Sequence, residues 1–473
     1  MSFSNQTNLP NGQGSLLQIL YTAGVKMNVS RSFPEWDVIR KLKVSKSKAR
    51  EAKFMIQAAL GYAAIQGRNP GASNRAFPRN QNVDLSEKTA QFKEIDVTLE
   101  VPYQVIDAEK DSPEKYASLL AIEIDSKATA QRRLMTAKWY LDGTGVHGTT
   151  SAVPTVSGGF LTVNMSTANT ARGHAGAFEV GDLFVPYSQS GTRHDAAVTA
   201  VDVNPADSVN DPIDCYKVVS RNHRTGDVVF RAQSYGSAAN TYADLSATGA
   251  GTITTNDVWY RIGQQTIPDL TSIADYDTAS EDLLGLEAFS ANDGRVVQGI
   301  TMSGQTAGTR YDHQGAAISM DVLQQLLSDG KIAVGDGVYK WPIATMHPQT
   351  LSALIRERET DRRIISVDDN KRGVKFLAYQ HEDDTVRLQG REFCAPKRIY
   401  LLPEPMESDQ PKPLAMYGTD FTPVREPGSS SDWRLKATSN GYVAAAQSFL
   451  HSRLLYLSTH PAAILCAHNF TNT

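Results

Sequence analysis

From Ile95 to Val101 apolar and polar residues alternate strictly, Ile95-Asp96-Val97-Thr98-Leu99-Glu100-Val101. That period of two is the mark of a strand with one wet face. Upstream, Phe54 to Ile65 is mostly apolar, with Gly61 and Gly67 as breakers, and Gln66 to Gln81 is polar and irregular around Asn69-Pro70-Gly71-Ala72-Ser73-Asn74. Pro, Gly and Asn at this density encode turns. A polar excursion returning on an alternating strand predicts an extended hairpin arm over residues 54–108. A compact protein seldom keeps such an arm unless a partner covers it.

Ser112-Pro113-Glu114 then combines a capping hydroxyl, a first-turn proline and a dipole-favoured acid. No further Gly or Pro occurs before Leu141, and Asp142-Gly143 stops the run. The predicted helix, Pro113–Leu141, would be about 40–45 Å long at ~1.5 Å per residue. Residues 176–265 turn to strand and turn signals, with strands at Ala197–Val201, Cys215–Val219 and Asp227–Phe230 and a hairpin turn at Thr225-Gly226-Asp227. This stretch reads as a small β module inserted in a loop of the main domain. From Thr266 the pattern is α/β: a short helical run over Ser280–Phe289, and a helix from Ser319-Met320-Asp321 through Leu327 ended by Asp329-Gly330. A strand at Ile343–Met346 and a helix opened by His347-Pro348 follow. Further on come a strand at Lys397–Leu402 closed by Pro403, and two strands within Val443–Ala467 joined near Thr459-His460-Pro461. No period of 20–50 residues repeats, which excludes solenoids and propellers. The fold class is α+β.

Composition narrows the setting. The 473 residues suffice for two or three domains, and 41% hydrophobic with 21% charged residues is the balance of a folded globular chain. A formal net charge of -4 supplies no global field toward nucleic acid or a membrane. The local exception is the basic segment Arg40, Lys41, Lys43, Lys46, Lys48, Arg50 and Lys53. Its interleaved apolar residues suit a solvated amphipathic helix, or else an arm that meets nucleic acid or an acidic surface. Cys215, Cys394 and Cys466 lie far apart without a CxxC pair, as in buried thiols of a reducing compartment. No apolar run approaches the ~20 residues that span a bilayer, and Met1 to Pro10 lacks a signal peptide's pattern. The expectation is synthesis and folding in the cytoplasm, with no membrane partner.

The chemistry motifs fail on context. Gly143-Thr144-Gly145-Val146-His147-Gly148 fits GxGxxG but follows a predicted helix, whereas the pyrophosphate cradle needs a strand before it and a helix after. GxxxxGK[ST], GxSxG and HExxH do not occur, and the ten histidines are scattered without ligand spacing. Glu382-Asp383-Asp384 and Glu404 to Asp409 read as solvated loops, lacking the glycine and spacing of a calcium loop. No catalytic, cofactor-binding or metal residue is expected. The mixed run Arg356-Glu357-Arg358-Glu359-Thr360-Asp361-Arg362-Arg363 suits either an exposed helix end or an intersubunit contact whose alternating charge sets register.

This order of elements resembles the major capsid proteins of tailed phages with the Hong Kong 97-like fold. The resemblance divides the chain into an N-terminal arm (1–53), an E-loop hairpin (54–108), a P-domain spine helix and crossover (109–175), an inserted β-rich domain (176–265), an A domain (266–430) and closing P-domain strands (431–473). Leu283-Leu284-Gly285-Leu286-Glu287-Ala288-Phe289, Thr345-Met346-His347-Pro348-Gln349-Thr350-Leu351 and Ala462–Ala467 after His460-Pro461 look like the family's strings at the A-domain entry, its strand-to-helix step and its final strand. The resemblance implies a non-enzymatic subunit without cofactors, assembling through hexamers and pentamers into an icosahedral head around double-stranded DNA that it binds without sequence specificity. It also implies a portal, a possible decoration protein and, with fewer than sixty residues before the E-loop, a separate scaffolding protein. Arg40, Lys43, Lys88, Lys93, Arg356, Glu357, Arg358 and Arg362 are the candidate intersubunit contacts. In members that crosslink, a Lys joins an Asn, for which Lys88 or Lys93 and Asn469 are the residue types here. Two other readings stay open: an encapsulin-like nanocompartment shell of the same fold, and a β-rich tail or carbohydrate-binding protein.

Overall fold

The computed structural model describes residues 39–43, 51–59, 84–102, 133–166, 172–194, 213–235, 253–262, 267–279, 281–335, 337–359, 365–369, 374–381, 384–407, 412–418, 422–423, 434–437 and 443–471. In chain order, β1 (Arg40–Lys43) precedes β2 (Glu51–Ala59), β3 (Asp84–Gln91) and β4 (Lys93–Pro102). Helical turns at 133–139 lead into β5 (Val146–Thr149), β6 (Thr155–Ser157), β7 (Phe160–Asn164), β8 (Leu183–Tyr187), β9 (Ile213–Asn222), β10 (Asp227–Tyr235) and β11 (Val258–Arg261). Next come α1 (Tyr276–Ala279), α2 (Leu286–Phe289), β12 (Val296–Val297), β13 (Ile300–Thr301), β14 (Thr309–Asp312), α3 (Met320–Val334), β15 (Tyr339–Met346) and α4 (Pro348–Glu359). The chain closes with β16 (Ile365–Asp369), β17 (Val374–His381), β18 (Asp384–Gly390), β19 (Arg398–Pro405), β20 (Leu414–Gly418), β21 (Thr422–Pro423), β22 (Arg434–Ala437), β23 (Val443–Ser458) and β24 (Leu465–His468).

Three larger sheets carry these elements. The first is built on the 16-residue β23, which at ~3.3 Å per residue spans about 50 Å. β4 pairs along one edge of it, and β20, β21 and β22 pair end to end along the other; Leu454, for example, is opposite both Lys93 and Gly418. The second sheet has the order β5-β11-β8-β9-β10-β7-β6 and its own core, where the Phe230 and Trp259 rings stack 4.4 Å apart among Phe178, Phe184 and Tyr216. Strands at 146–164, grouped in the sequence with the spine helix and crossover, thus share one sheet with those at 183–261. The third sheet, β14-β24-β19-β15-β18-β17-β16, is covered by α3 through Val322, Leu323, Leu326 and Leu327, packed with Trp341, Leu401, Leu465 and Phe470. A further core joins the units, with Trp139 edge-on to Tyr456 at 4.8 Å beside Leu284, Phe289 and Tyr400.

Several local expectations give way to tertiary context. The basic segment is strand, not helix, where it is described: β1 pairs in parallel with β20, Arg40 opposite Ala415 and Lys43 opposite Gly418, and Lys53 lies in β2. Backbone pairing with a distant strand outweighs the weak helical pattern. The run Ser280–Phe289 is helical only over α2, because Gly285 crosses the carbonyls of Lys138, Trp139 and Leu141 so closely that a Cβ there would lie 2.4–2.6 Å from them. Pro403 does not end its strand, since β19 continues to Pro405. It lies where the ladder to β15 skips between Lys340 and Ile343, so its missing N–H faces an irregular position. Of the predicted helix Pro113–Leu141, 133–139 is helical and 113–132 lies outside the described residues.

Asp329-Gly330 does not stop α3, which runs on to Val334 and ends at Gly335 with φ 97°. Gly330 is instead a packing device: a Cβ there would lie 2.7 Å from Leu465 Cδ1 and 3.1 Å from Trp341. Alanine normally stabilises a helix interior by about 1 kcal/mol over glycine. Overpacking this contact costs about 1–3 kcal/mol. Gly330→Ala is therefore expected to leave stability unchanged or lower it by up to about 2 kcal/mol in denaturant unfolding. A full 1 kcal/mol gain would show that α3 does not press on β24.

Candidate functional site

β2 and β3 form a two-stranded antiparallel sheet, with Phe54 opposite Lys88 and Ala52 opposite Ala90. Period two divides its side chains. Ala52, Phe54 and Ala90, with Phe92 beyond the strand, pack on Ala415, Tyr417, Leu455 and Leu457 of the first sheet, and Phe92 meets Tyr417 edge-on at 6.3 Å. On the other face Met55 is 66% exposed, beside the surface ion pair Lys53 Nζ–Glu87 Oε1 at 2.8 Å. Such an exposed pair contributes little to stability. Among the described residues, no other strand pairs with β2 or β3, so both outer edges present backbone donors and acceptors.

Polar contacts fix the sheet on which the hairpin sits and the start of the strand that follows it. Gln298 and Gly299, with φ 52° and 71°, make the two-residue turn between β12 and β13. Gln298 Nε2 donates to Tyr456 O at 2.5 Å, and its Oε1 accepts from Ser458 N at 3.2 Å, tying this turn to β23. Lys93 Nζ donates to Asp277 O at 2.8 Å. Burial lowers the Lys93 pKa against the pull of Asp277, Asp282, Glu281 and Asp275. Burial, helped by Asp275, pushes the Asp277 carboxyl up to about 6 although the backbone N–H groups of Gln298 and Gly299 and the Lys93 charge oppose it.

Inside the molecule the titratable groups are engaged structurally. Glu287 receives Arg310, Arg398 and, at 2.5 Å, the Tyr400 hydroxyl. Burial would raise its pKa, but Arg310 and Arg398 outweigh that and hold it at about 2. Cys215, Cys394 and Cys466 are buried thiols, and burial pushes Cys466 up to about 11. Gly143 and Gly145 have φ 82° and 84°, placing the GxGxxG string in a turn that leaves helix and enters β5. That order presents no helix N-terminus to a phosphate. Among the described residues, no three His, Cys, Asp or Glu groups have metal-binding geometry, and no helix is long and apolar enough to cross a membrane.

The candidate contact residues that are described lie on four different elements. Arg40 and Lys43 lie in β1, Lys88 in β3 and Lys93 at the start of β4. Arg356 and Glu357 are exposed on α4, but Glu357 Oε2 accepts from Met320 N at 2.9 Å and so caps α3. Arg358 belongs to the last turn of α4, and Arg362 lies outside the described residues. Asn469 Nδ2 donates to Asp312 Oδ1 at 2.7 Å. Sequence reasoning missed the apolar anchors Ala52, Phe54, Ala90 and Phe92, although their i, i+2 spacing was visible.

No family model matches the chain, and no curated protein matches it. Among solved structures, it is similar to a chain of the Cyanophage A-1(L) capsid asymmetric unit, with 10% identity and a TM-score of 0.43 over 93% of this chain and 95% of that one. A chain from the capsid of Ralstonia phage GP4 aligns at 8% identity and a TM-score of 0.37 over 91% and 86%. A chain of an encapsulin complex from Synechococcus elongatus aligns at 18% identity and a TM-score of 0.25, covering 36% of this chain and 57% of that one.

Proposed function

We propose that this chain is the repeating subunit of a closed protein shell: a tailed-phage major capsid protein with a Hong Kong 97-like fold and an inserted β-rich domain. The observation that carries this reading is the β2–β3 hairpin, seated by one face on the first sheet while its outer edges pair with no other strand among the described residues. Strand edges of that kind are satisfied when a neighbouring subunit covers them. Hundreds of identical subunits joined through arms and hairpins bury more per chain than the ~1,600 Å² of a standard interface. In this reading 1–53 is the arm, 54–108 the E-loop, 109–175 the spine and crossover, 176–265 the insert, whose sheet takes in β5–β7 from the crossover, 266–430 the A domain and 431–473 the closing strands.

The subunit assembles through hexamers and pentamers into an icosahedral head around double-stranded DNA. Its mild negative charge suits a wall that does not grip its contents. Scaffold and portal are separate proteins, assembly takes place in the host cytoplasm, and the subunit has no enzymatic role. Negative-stain electron microscopy of the chain, expressed alone and with its neighbouring genes, tests this. Closed shells or hexameric rings are expected; a monomer that never assembles, even beside a candidate scaffold, would end the proposal. DNA-free shells loaded with a cargo enzyme would move it to a nanocompartment.

A further inference from the structure

Three histidines from three separate elements meet where the second sheet joins the third. His174, buried before the turn Ala175–Ala177, has Nε2 2.6 Å from Phe393 O and accepts the Gly176 N–H on Nδ1 at 3.0 Å. These partners specify a neutral ring with its proton on Nε2. His347, buried between β15 and α4, likewise accepts the Gln349 N–H on Nδ1 at 3.2 Å. His223, in the β9–β10 turn, faces the His347 ring at 6.3 Å, and its buried Nδ1 has no hydrogen-bond partner. A second proton on His174 or His347 must land on the nitrogen that already accepts a backbone N–H, setting donor against donor.

The charges around this seam give an imidazolium little relief. Glu179 and Glu392 are held by Arg133 at 2.8 and 3.0 Å, and by Arg221 at 3.5 and 3.9 Å, a balanced quartet of two acids and two arginines. Arg398 adds a further positive charge near His174. Every proton taken up therefore makes the seam more positive. Burial, with His223 beside it, accordingly lowers His347 to about 4, and burial lowers His174 to about 3 against its bond to Phe393 O. Burial and Arg221 lower His223, while Glu392 pulls the other way.

We propose that this histidine seam is an acid-sensitive latch, whose protonation releases the β-rich unit from the third sheet while each keeps its own core. The separate cores of the two sheets make such a partial release possible. The latch lies within one chain and does not depend on the shell reading. A released histidine near the ordinary 6.5 binds protons that the docked one refuses, so the seam is intact at neutral pH and weakens as pH falls below about 6.5. Relief of the His347 shift alone favours release about 30-fold at pH 5 relative to neutral pH.

Hydrogen exchange on the full-length protein, corrected for the intrinsic effect of pH, tests this. Between pH 7.5 and 5, opening at 174–178, 221–226 and 391–394 is expected to rise about tenfold or more, while β7, β10 and β19 stay protected. The double variant His223→Gln/His347→Gln should flatten that response, and His347→Gln alone should reduce it. Unchanged seam protection down to pH 5, an equal rise across the cores of both sheets, or a full acid response in His347→Gln would each overturn the latch.

Discussion

Replacing Glu287 with alanine is expected to destabilise the folded subunit by about 3–5 kcal/mol, read as a lower denaturant midpoint with an unchanged slope. The side chain is mostly buried, 15% exposed, and receives Arg310, Arg398 and Tyr400 from β14 and β19. Its removal strands the guanidinium groups of buried Arg398 and partly buried Arg310, and Arg310 Nε already has no hydrogen-bond partner. Tyr400→Phe removes one hydrogen bond to a charged group and should cost less, about 1.5–3 kcal/mol. Replacing Glu287, Arg310 and Arg398 together by apolar residues should recover much of the loss, because no unpaired charge then remains. The pH dependence has a definite sign. A carboxyl held at about 2 contributes stability that is complete above its ordinary 4.5 and lost as pH falls from 4.5 toward 2. Glu287→Ala should flatten the acid limb in that window. A change below 1 kcal/mol would show that water reaches the cluster.

Phe54→Asp is expected to abolish shell formation without unfolding the subunit. Phe54 seats β2 against Ala415, Leu455 and Leu457, and a carboxylate on that partly buried apolar face, with only Lys88 across the strand pair to answer it, favours undocking of the hairpin. Phe54 also packs from outside against the core around Trp139 and Tyr456, so stability should fall by about 1–3 kcal/mol while unfolding stays cooperative. Assembly should respond far more, since each subunit repeats the defect and the contacts act together. Size-exclusion chromatography with electron microscopy should find at least a tenfold drop in assembled material. Lys53→Ala, which removes only the surface pair with Glu87, should assemble normally. Wild-type yields of closed shells from Phe54→Asp would remove the hairpin from the assembly mechanism.

Much of the fold was legible where local pattern and tertiary role coincide. The alternating run Ile95–Val101 is a strand, within β4, although it pairs with β23 and it is β3 that closes the hairpin; the Thr225-Gly226-Asp227 turn joins β9 to β10. His347-Pro348 does open α4, and the break near His460-Pro461 separates β23 from β24. The wrong structural order around GxGxxG was also visible, because helix and strand signals flank it on the sides opposite to those a phosphate site needs. What failed rested on reading Gly and Pro as punctuation. Gly330 continues a helix because β24 leaves no room for a Cβ, and Pro403 continues a strand because its neighbour skips a pairing. Two charged residues also have intrachain partners that spacing does not reveal: Glu357 caps α3, and Lys93 donates to the Asp277 carbonyl.

The sequence by itself determined the types of most elements and an α+β chain with a hairpin arm, because these follow from periodicity, turn residues and spacing. Only the tertiary structure decided which strands share a sheet. β23 and β24 are separated by only six residues yet pair in different sheets, and β5–β7 join strands much further along the chain. It alone also decided which charges face inward, gathering Glu287 with Arg310 and Arg398, and His174 with His223 and His347. The physical reason is range. Turn chemistry and side-chain period act within a few residues, whereas sheet order and buried charge pairs depend on contacts between segments that sequence spacing does not relate.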